Sequence, residues 1–441
     1  MSETLLDAAR RAVRLAAAKG AGACAAGAWR ARNVELQWRD GKVEKATEAT
    51  TRALALELYV DGRYAAVSTS DLRPDALARF VEDAVALART LTPDPFRRLP
   101  EPELYAGRAD VDLELSDPDY GGVTPERRRA WAEAIEAGAR GADPRGRILS
   151  ATGATGDTQS ESAVVHSDGF EGTRRSTDFW LTAEATVQDP DGRRPEEYAA
   201  AVARHWSSLE KPEEIGRRAA TRALARIGAV KGESAVMTVA VEARAAGRIA
   251  SMLFGPLSAA ALQQKRSFLD GKAGQAIGSP LLDVRDEPLR KRGFGSRLFD
   301  GEGIAAKPFP IFERGTLRNY YVDTYYGRKL GMPPTTGRMS NHAWAPGGRS
   351  LGELLADLKD GVLVTGFLGG NSNGTTGYFS LGVKGFRIRG GAIAEPVGEM
   401  NLSGNHLELW KRLAAVGNDP YPYSSMRTPT LVFDGVQVAG T

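Results

Sequence analysis

The stretch after the apolar run from Ala235 to Val241 is the place in this sequence where a metal site would be expected first. Two histidines one turn apart on a helix that follows a strand, with a glutamate beside them as base, make a common zinc site. Residues 242–248 contain Glu242 but no histidine, and they include Arg244 and Arg248. Arginine stays cationic and has no lone pair to offer a metal ion. The sequence therefore predicts no metal ligands on this helix and no catalytic residue there.

The four histidines and the single cysteine show no spacing typical of a ligand set. The histidines are scattered along the chain: His166, His205, His342 and His406. Of these, His342 and His406 lie in glycine- and asparagine-rich segments of the C-terminal half, where functional residues are often found. Cys24 is the only cysteine, which excludes an intramolecular disulfide and a thiolate zinc cluster. Its alanine neighbours indicate a small buried side chain rather than a nucleophile.

A Gly-x-Ser-x-Gly motif, as in the nucleophile elbow of α/β-hydrolases, occurs once, from Gly370 to Gly374. The elbow requires a turn from a strand into a helix, whereas the residues from Thr375 to Leu381 predict another strand. We therefore interpret the segment as a tight hairpin connection in which Asn371 and Asn373 tolerate positive φ. Such a loop can also present unpaired backbone groups beside a strand edge. An extended peptide can pair with such an edge largely regardless of its own sequence.

A second candidate site consists of the acidic residues Asp300, Glu302 and Asp323 together with His342. Carboxylates with one histidine can hold a metal ion or perform acid–base chemistry. The alternative is that these acidic residues form turns, as the pair Asp300-Gly301 suggests, and we favour that interpretation.

Length and composition limit the class of protein. A chain of 441 residues is expected to form two or three structural units. Its formal charge of +3 is nearly balanced, so no direct contact with nucleic acid is predicted. The first residues predict an amphipathic helix, capped by Ser2, rather than a signal peptide. No stretch approaches the roughly 18 apolar residues of a membrane span. We therefore expect a cytoplasmic protein without a membrane segment.

The periodicity of apolar residues predicts an α+β fold. Apolar residues alternate at Val34, Leu36 and Trp38 before an Asp-Gly turn, which is typical of a strand in a hairpin. The predicted division is an N-terminal helix/antiparallel-sheet domain over residues 1–95, a linker over 96–120, a middle α+β region over 121–230 and a largely β C-terminal domain with a few helices over 231–441. Strands are predicted near 148–152, 162–166 and 179–187. Helices are predicted over 243–262 and 407–416.

Several stretches, taken in order, resemble the TldD/TldE (PmbA) family, a group described as peptidase components and historically as modulators of DNA gyrase. The stretch from Phe299 to Ile304 is similar to the family's Asp-x-Glu-Gly signature. Further similar segments follow in the family's order: Phe312 to Leu317, Asp323 to Gly331, Thr336 to Arg338, Gly369 to Ser380, Gly385 to Ile388, Ala415 to Asp419 and Ala439 to Gly440. The N-terminal part agrees more loosely, from Arg39 to Lys42 and from Val60 to Arg63. The resemblance covers nearly the whole chain.

The family contains two kinds of subunit, and the resemblance indicates which kind this is. The TldD kind carries His-Glu-x-x-x-His on the helix after the strand and a cysteine near the C-terminus as third ligand. This sequence keeps only Glu242, has Arg248 on the same helix, and has no cysteine between Pro420 and Met426. It therefore resembles the metal-free TldE kind, which the family places beside TldD in a heterodimer. The resemblance implies no cofactor in this chain and zinc in the TldD-like partner.

The resemblance further implies that the C-terminal β domain helps to form an enclosed cleft, in which an unfolded peptide lies as an added strand. We expect the following positions to contact the peptide: Arg338, Asn341, Gly370, Asn371, Asn373, Thr375, Thr376 and Gly377. The predicted function is thus a non-catalytic, peptide-binding subunit of a TldD/TldE-type metallopeptidase complex, acting in proteolysis or peptide maturation.

Two other functions stay open from the sequence. One is an independent hydrolase that uses the carboxylate and histidine site, and stoichiometric metal in the chain purified alone would favour it. The other is a regulatory binding module of the gyrase-modulator type. The nearly balanced charge gives no support for direct DNA contact in that role.

Overall fold

The first half of the chain contains two units with the same order of elements, each a helix, three strands and a second helix. The computed structural model describes residues 4–440. The first unit comprises α1 (Leu5–Ala18), β1 (Ala23–Arg39), β2 (Lys42–Val60), β3 (Arg63–Thr69) and α2 (Pro74–Thr90). The second unit comprises α3 (Pro125–Gly141), β4 (Ile148–His166), β5 (Glu171–Val187), β6 (Glu196–Ala203) and α4 (Pro212–Leu224).

The six strands of these units form one antiparallel sheet in the order β3-β2-β1-β4-β5-β6. The units meet in its centre, where β1 pairs with β4 from Ala25 opposite His166 to Arg39 opposite Thr152. Because β1 and β4 are equivalent strands that run antiparallel, an approximate twofold rotation relates the units. Strands from the predicted first and middle regions therefore share one sheet. The division of the chain at 95 and 121 stays a prediction.

One edge of this sheet is open along most of β2. Strand β3 pairs with β2 only from Leu54 to Val60. Among the residues that the structure describes, no strand lies beside that edge from Lys42 to Ala53. All residues from Lys42 to Arg52 are exposed. The open edge is thus exposed and carries mostly polar side chains.

Helices α1 and α2 cover one end of the sheet. Cys24, Ala26 and Ala28 of β1 alternate with outward-facing residues and pack beneath these helices with the leucines of β2. The cysteine is buried, as its neighbours predict. Helix α1 begins with a capping box, in which the Thr4 side chain accepts from the backbone N–H of Asp7 and the Asp7 carboxylate accepts from that of Thr4. Ser2, the predicted cap, lies outside the described residues.

Helices α3 and α4 cover the other end of the sheet and touch each other closely. A Cβ at Gly216 would meet the backbone of Ile135, and one at Gly138 would meet the backbone of Glu213. Glycine at both positions therefore permits backbone contact between the two helices. The predicted strands at 148–152 and 162–166 are parts of the single strand β4, so the sequence interpretation split one long strand into two.

The segment between the two units packs on the sheet without forming a strand or an α-helix of its own. It contains the 3₁₀ turns Pro102–Tyr105 and Tyr120–Gly122. The Tyr120 hydroxyl donates to Asp157 of β4 at 2.6 Å, and the carbonyl of Leu115 accepts from Thr177 N at 2.9 Å. Residues predicted as a linker are thus fastened to the second unit.

The rest of the chain consists mainly of strands, with helices and glycine turns between them. Its elements in order are β7 (Val230–Lys231), β8 (Ala235–Val241), α5 (Ala243–Phe254), α6 (Ala259–Gln263), β9 (Val284–Asp286), β10 (Phe309–Glu313), β11 (Thr316–Leu317), α7 (Thr324–Leu330), β12 (His342–Trp344), α8 (Leu351–Asp357), β13 (Asp360–Phe367), β14 (Asn371–Ser372), β15 (Tyr378–Arg389), β16 (Ala392–Asn405), α9 (His406–Leu409), β17 (Leu413–Val416) and β18 (Leu431–Gly440).

Five of these strands close into a ring. Strand β8 pairs with β13, β13 with β15, β15 with β16, β16 with β18 and β18 with β8. The pair β8–β13 is parallel, and the other four pairs are antiparallel. Strands β9 to β12 form a separate four-stranded sheet. Helix α5 packs against these strands in the largest apolar core, which includes Ile249, Leu253 and Phe254.

Two helix predictions in this region are wrong in part. The helix predicted over 243–262 ends at Phe254, and a 3₁₀ turn at Gly255–Leu257 separates it from α6. Pro256 has no N–H to continue the helical hydrogen bonds, which explains the break. The helix predicted over 407–416 extends only through α9 and a 3₁₀ turn, and Leu413–Val416 is strand β17.

The mixed α+β fold class is confirmed, with an N-terminal helix and sheet region and a largely β C-terminal region. Across residues 4–440, no helix combines the length and apolar character that crossing a membrane requires.

A buried ion pair fastens α3 to β4 and provides a stability test. Arg128 donates from Nε and Nη2 to both carboxylate oxygens of Asp157, and the two side chains are only 4% and 2% exposed. Asp157→Ala would leave the guanidinium buried without its anion, so we expect the free energy of unfolding to fall by about 3–5 kcal/mol. Urea denaturation followed by circular dichroism measures this loss.

Glu133→Ala is the matched control, because it breaks the exposed Arg129–Glu133 pair on the same helix. It should cost less than about 1 kcal/mol. Equal, small losses in both variants would contradict the structural role assigned to Asp157.

Candidate functional site

The site that the sequence singles out begins where β8 ends and α5 starts. Glu242 stands between them, and its N–H donates to the Val364 carbonyl of β13 at 3.0 Å. Its carboxylate lies 3.6 Å from Arg244 Nη2 and 3.8 Å from Arg222 Nη2. Arg244 in turn donates to the Thr365 carbonyl at 2.9 Å. Two guanidinium groups thus neutralise the one acidic residue of the predicted stretch.

The residues on and around α5 do not fit a metal ion. Within residues 4–440, no group of three or more His, Cys, Asp or Glu side chains is placed to hold one. The exposed face of α5 presents Arg248, and the helix has no histidine. A cation at this position would be repelled by the guanidinium groups of Arg222 and Arg244, which already pair with the carboxylate of Glu242. No step of metal chemistry can therefore be derived from these residues.

The segment from Gly370 to Gly377 forms the tight hairpin turn expected from the sequence. Residues Asn371 and Ser372 pair with β15. The Asn373 side-chain oxygen accepts from the backbone N–H groups of Thr375 and Thr376 at 2.9 and 3.1 Å. Asn373 thereby fixes the tip of the turn.

The positive φ angles of this hairpin are not at its asparagines. They occur at Gly369, Gly370 and Gly377, with values of 89°, 93° and 81°. The expectation for Asn371 and Asn373 is therefore wrong, because the flanking glycines supply the left-handed conformation. The asparagine side chains remain exposed, as do those of Thr375 and Thr376. These four side chains are accessible to a ligand.

Ser372, the serine of the Gly-x-Ser-x-Gly motif, contacts a histidine that the sequence did not connect with it. Its Oγ lies 3.0 Å from His406 Nε2. His406 is fully buried and stacks on Phe268, with ring centroids 5.5 Å apart. Burial lowers the pKa of His406 to about 4. Its Nδ1 has no hydrogen-bond partner.

This serine–histidine contact does not make an activated nucleophile. Activation requires a base that a third group orients through its other ring nitrogen, and Nδ1 of His406 has no such partner. The chain also continues from Ser372 through the turn into β15 rather than into a helix. We interpret the contact as packing that holds the hairpin against α9.

The other two residues predicted to contact a peptide differ from each other in exposure. Asn341 is 1% exposed, and its side chain accepts from Gly295 N and donates to Glu287 O and Ser296 Oγ. Arg338 is exposed, and its carbonyl accepts from the Arg297 guanidinium. No hydrogen bond within residues 4–440 joins either residue to the 370–377 hairpin. A peptide contact by either residue stays a prediction.

The acidic residues of the second candidate site lie near one another but serve the local loops. Asp300 Oδ1 accepts from the backbone N–H groups of Glu302 and Ile304. Glu302 accepts from the backbone and the hydroxyl of Thr324 at 3.0 and 2.6 Å. Asp323 caps α7 through the N–H of Tyr326. These bonds favour the interpretation that the acidic residues form turns.

His342 belongs to a different cluster. Its Nε2 lies 2.9 Å from the Tyr321 hydroxyl, which donates to Asp286 Oδ2 at 2.9 Å. With that hydroxyl proton directed at Asp286, the contact fits the His342 tautomer in which Nε2 carries the proton and donates to the tyrosine oxygen. Burial lowers the pKa of His342 to about 3. The structure thus separates His342 from the three acidic residues with which the sequence grouped it.

Glu302 provides a pH test of the acidic cluster. Burial raises its pKa to about 7 despite the hydrogen bonds from Thr324, and the nearby charges of Asp300 and Asp323 raise it further. An unfolded glutamate titrates near 4.3, so the folded state holds its proton to higher pH. The contribution of protonated Glu302 to the free energy of unfolding is fully present below about pH 4.3 and is lost as the pH rises to about 7.

We expect Glu302→Gln to remove this loss, because the amide cannot ionise. The free energy of unfolding of the variant minus that of the wild type should increase from pH 5 to pH 7 and then level off. Urea unfolding at pH 5, 6, 7 and 8 measures the difference. A difference that does not change with pH would show that Glu302 ionises as easily in the folded chain as in the unfolded one.

Three family models cover most of the chain in sequence order. They are described as domain 1 (residues 30–88), the central domain (118–227) and the C-terminal domain (234–440) of the PmbA/TldA metallopeptidases. Metalloprotease PmbA of Escherichia coli O157:H7 is 28% identical over 99% of this chain and 96% of its own length. A homologue of PmbA from Haemophilus influenzae is 27% identical over the same shares of the two chains.

Solved structures extend these similarities. A crystal structure from Bacteroides thetaiotaomicron, described as a proposed modulator of DNA gyrase, matches with a TM-score of 0.95 and 36% identity over 98% of both chains. TldE from Thermococcus kodakarensis has a TM-score of 0.86 over 98% of this chain and all of its own, but its 20% identity shows the fold alone. Given the three family models in order and a relative that is 36% identical along nearly its whole length, the chain belongs to the TldD/TldE (PmbA) family of metallopeptidases.

Proposed function

We propose that this chain is the non-catalytic, peptide-binding subunit of a TldD/TldE-type metallopeptidase complex. The observation that carries the proposal is the composition of α5, where Glu242 is held by Arg244 and Arg222 and no histidine is present. A family defined by metal-dependent peptidases needs a donor set of imidazole, thiolate or carboxylate groups. This subunit would therefore depend on a TldD-like partner that binds zinc and supplies the hydrolytic site.

The proposed ligand is an unfolded peptide that lies beside the 370–377 hairpin. Strand β14 is the outermost strand of its sheet, and β15 is its only neighbour among the described residues. An extended peptide added to its free edge would be held mainly by backbone hydrogen bonds. The exposed side chains of Asn371, Asn373, Thr375 and Thr376 stand beside this edge. Of the other two positions expected to contact the peptide, Arg338 is exposed and could add a charged contact, whereas Asn341 is buried and would act only by shaping its own loop.

The partner surface and the cellular setting follow from the same proposal. An obligate heterodimer buries roughly 2,000 Å² or more between its subunits. We place the complex in the cytoplasm, in general peptide turnover or in the maturation of a specific peptide. Direct DNA binding is no part of the proposal, because the net charge of +3 is small for a chain of this length.

The division of labour between the two proposed subunits can be tested with the purified chain. We expect the purified chain to contain no stoichiometric zinc and to leave an unstructured peptide intact, because α5 provides no ligand set. Co-purified with a paralogue that carries the His-Glu-x-x-x-His helix, it should take part in rapid cleavage that a chelator stops. Elemental analysis and mass spectrometry of the digests measure both properties. Stoichiometric metal and cleavage by the chain alone would overturn the proposal and favour an independent hydrolase.

The role of the 370–377 hairpin in peptide binding can be tested by a substitution at its tip. Asn373→Ala removes the two hydrogen bonds that fix the tip, so the strand edge would lose its ordered shape. We expect the affinity for an unstructured peptide to fall about ten-fold, measured by fluorescence anisotropy with the complex under chelation.

Asn33→Ala is the control, because Asn33 is also exposed and accepts a side-chain hydrogen bond, from Thr158 on the distant six-stranded sheet. It should bind like the wild type. If both variants keep full affinity, the hairpin is not the peptide contact.

A further inference from the structure

A second surface feature adjoins the hairpin. A cleft of about 440 Å³ opens between β6, α5 and the end of β13. Its walls are formed by Tyr198, Arg244, Arg248, Phe367, Leu368 and Lys384, together with the backbone of residues 365–369. Gly369 is also the residue that leads into the 370–377 hairpin. A chain lying along the hairpin would therefore have the cleft directly beside it.

Every charged side chain that lines this cleft is positive. The two nearby carboxylates, Glu197 and Glu242, are not part of its walls. Glu197 is 2% exposed and is paired with Lys384 Nζ, while its second oxygen lies 3.8 Å from Arg244 Nη1. Glu242 lies between Arg244 and Arg222, as described above. The two carboxylates thus pair with the cations on the side that faces the protein interior, and no carboxylate of the described residues lines the cleft itself.

The charges of this cluster do not balance. Four cations, from Arg222, Arg244, Arg248 and Lys384, face two carboxylates, which leaves two positive charges. Arg248 is exposed and makes no side-chain hydrogen bond or ion pair within residues 4–440. A group of opposite charge is therefore the natural occupant of the cleft.

The buried arginine also has an unused donor. The Arg244 side chain is only 7% exposed, and its Nε has no hydrogen-bond partner. A buried N–H without an acceptor costs free energy, so the chain itself leaves this guanidinium incompletely hydrogen-bonded. A planar guanidinium with a second cation beside it suits the two oxygens of a carboxylate.

The rim of the cleft is apolar. The side chains of Tyr198 and Leu368 are 48% and 59% exposed, and Phe367 is half-buried beside them. Apolar side chains exposed next to a charged floor are typical of a site that binds an amphipathic group. A peptide end with an apolar last residue has this combination of charge and side chain.

We propose that this cleft binds the carboxylate of an unfolded peptide, and that the terminal α-carboxylate of the peptide is its source. Arg244, Arg248 and Lys384 receive the carboxylate, and the last side chain packs against Tyr198 and Leu368. The inference rests on the proposed peptide-binding function for the nature of the ligand. It adds that one end of the peptide is fixed, which gives the bound strand a defined direction.

The experiment compares peptides that differ only in the terminal group. An unstructured peptide labelled at its N-terminus and ending in leucine is made as the free acid and as the amide. Binding is measured by fluorescence anisotropy with the full chain, alone and co-purified with its metal-binding paralogue under chelation. We expect the amide to bind about ten-fold more weakly, because a charge-assisted hydrogen-bond pair is lost. Arg248→Gln should weaken the acid by the same factor and leave the amide unchanged.

Arg194→Gln is the matched control, because Arg194 is an exposed arginine outside the cleft. It should keep the ten-fold preference for the acid. Arg248 is itself exposed, so its substitution is not expected to disturb folding, and thermal unfolding verifies this. The inference is supported if Arg248→Gln loses the preference for the free acid over the amide and Arg194→Gln keeps it.

The remaining outcomes separate the inference from the proposed function. If the acid and the amide bind equally well, the cleft takes no terminal carboxylate and the inference is overturned, while peptide binding stands. If the ten-fold loss of affinity instead follows from changing an internal glutamate of the peptide to glutamine, the cleft binds a side-chain carboxylate. The assignment of the terminal carboxylate as its ligand is then wrong. If neither peptide binds the chain or the complex, both the inference and the peptide-binding function fall.

Discussion

The closed ring of five strands is the constraint on which the candidate site depends. The parallel pairing of β8 with β13 brings Val241 beside Val364, and β8 ends there while β13 continues. The backbone N–H of Glu242 donates to the Val364 carbonyl, so the first turn of α5 is held beside the end of β13, which beyond Val364 pairs, among the described residues, only with β15. This junction places Arg244 and Arg248 of α5 beside the backbone of residues 365–369, while Lys384 of β15 and Tyr198 of β6 complete the cleft.

Local patterns in the sequence predicted local structure well. The alternation at Val34, Leu36 and Trp38 correctly predicts part of β1. The Asp-Gly turn that follows correctly predicts the hairpin from β1 to β2. The apolar run before Glu242 is the strand β8, and the helix after it exists. Each of these features depends on neighbouring residues, whose period and turn chemistry are visible in the chain itself. The break of α5 was also visible, since Gly255 and Pro256 are poor helix formers, but the alanine-rich run around them outweighed that signal.

Long-range pairing and side-chain partners could not be predicted in this way. The β1–β4 pairing joins residues more than a hundred positions apart, and nothing in either strand specifies the other. Asn341 was expected to contact a peptide, yet its side chain is buried and its amide bonds to Glu287, Gly295 and Ser296. The cationic cleft was missed because Lys384 and Arg248 come from separate elements. The sequence shows that α5 has no histidine, but only the structure shows that Arg222 and Arg244 pair with Glu242.

The open edge of β2 bears on how the chain avoids pairing with copies of itself. A long strand with free N–H and C=O groups is a template for pairing with other chains, and proteins guard such edges with charge. Here the accessible stretch carries Lys42, Glu44, Lys45, Glu48 and Arg52, all exposed. Stacking a second copy there would force these side chains to give up part of their hydration or to meet like charges. The charges along this edge therefore disfavour edge-to-edge pairing of the long, uncovered strand β2.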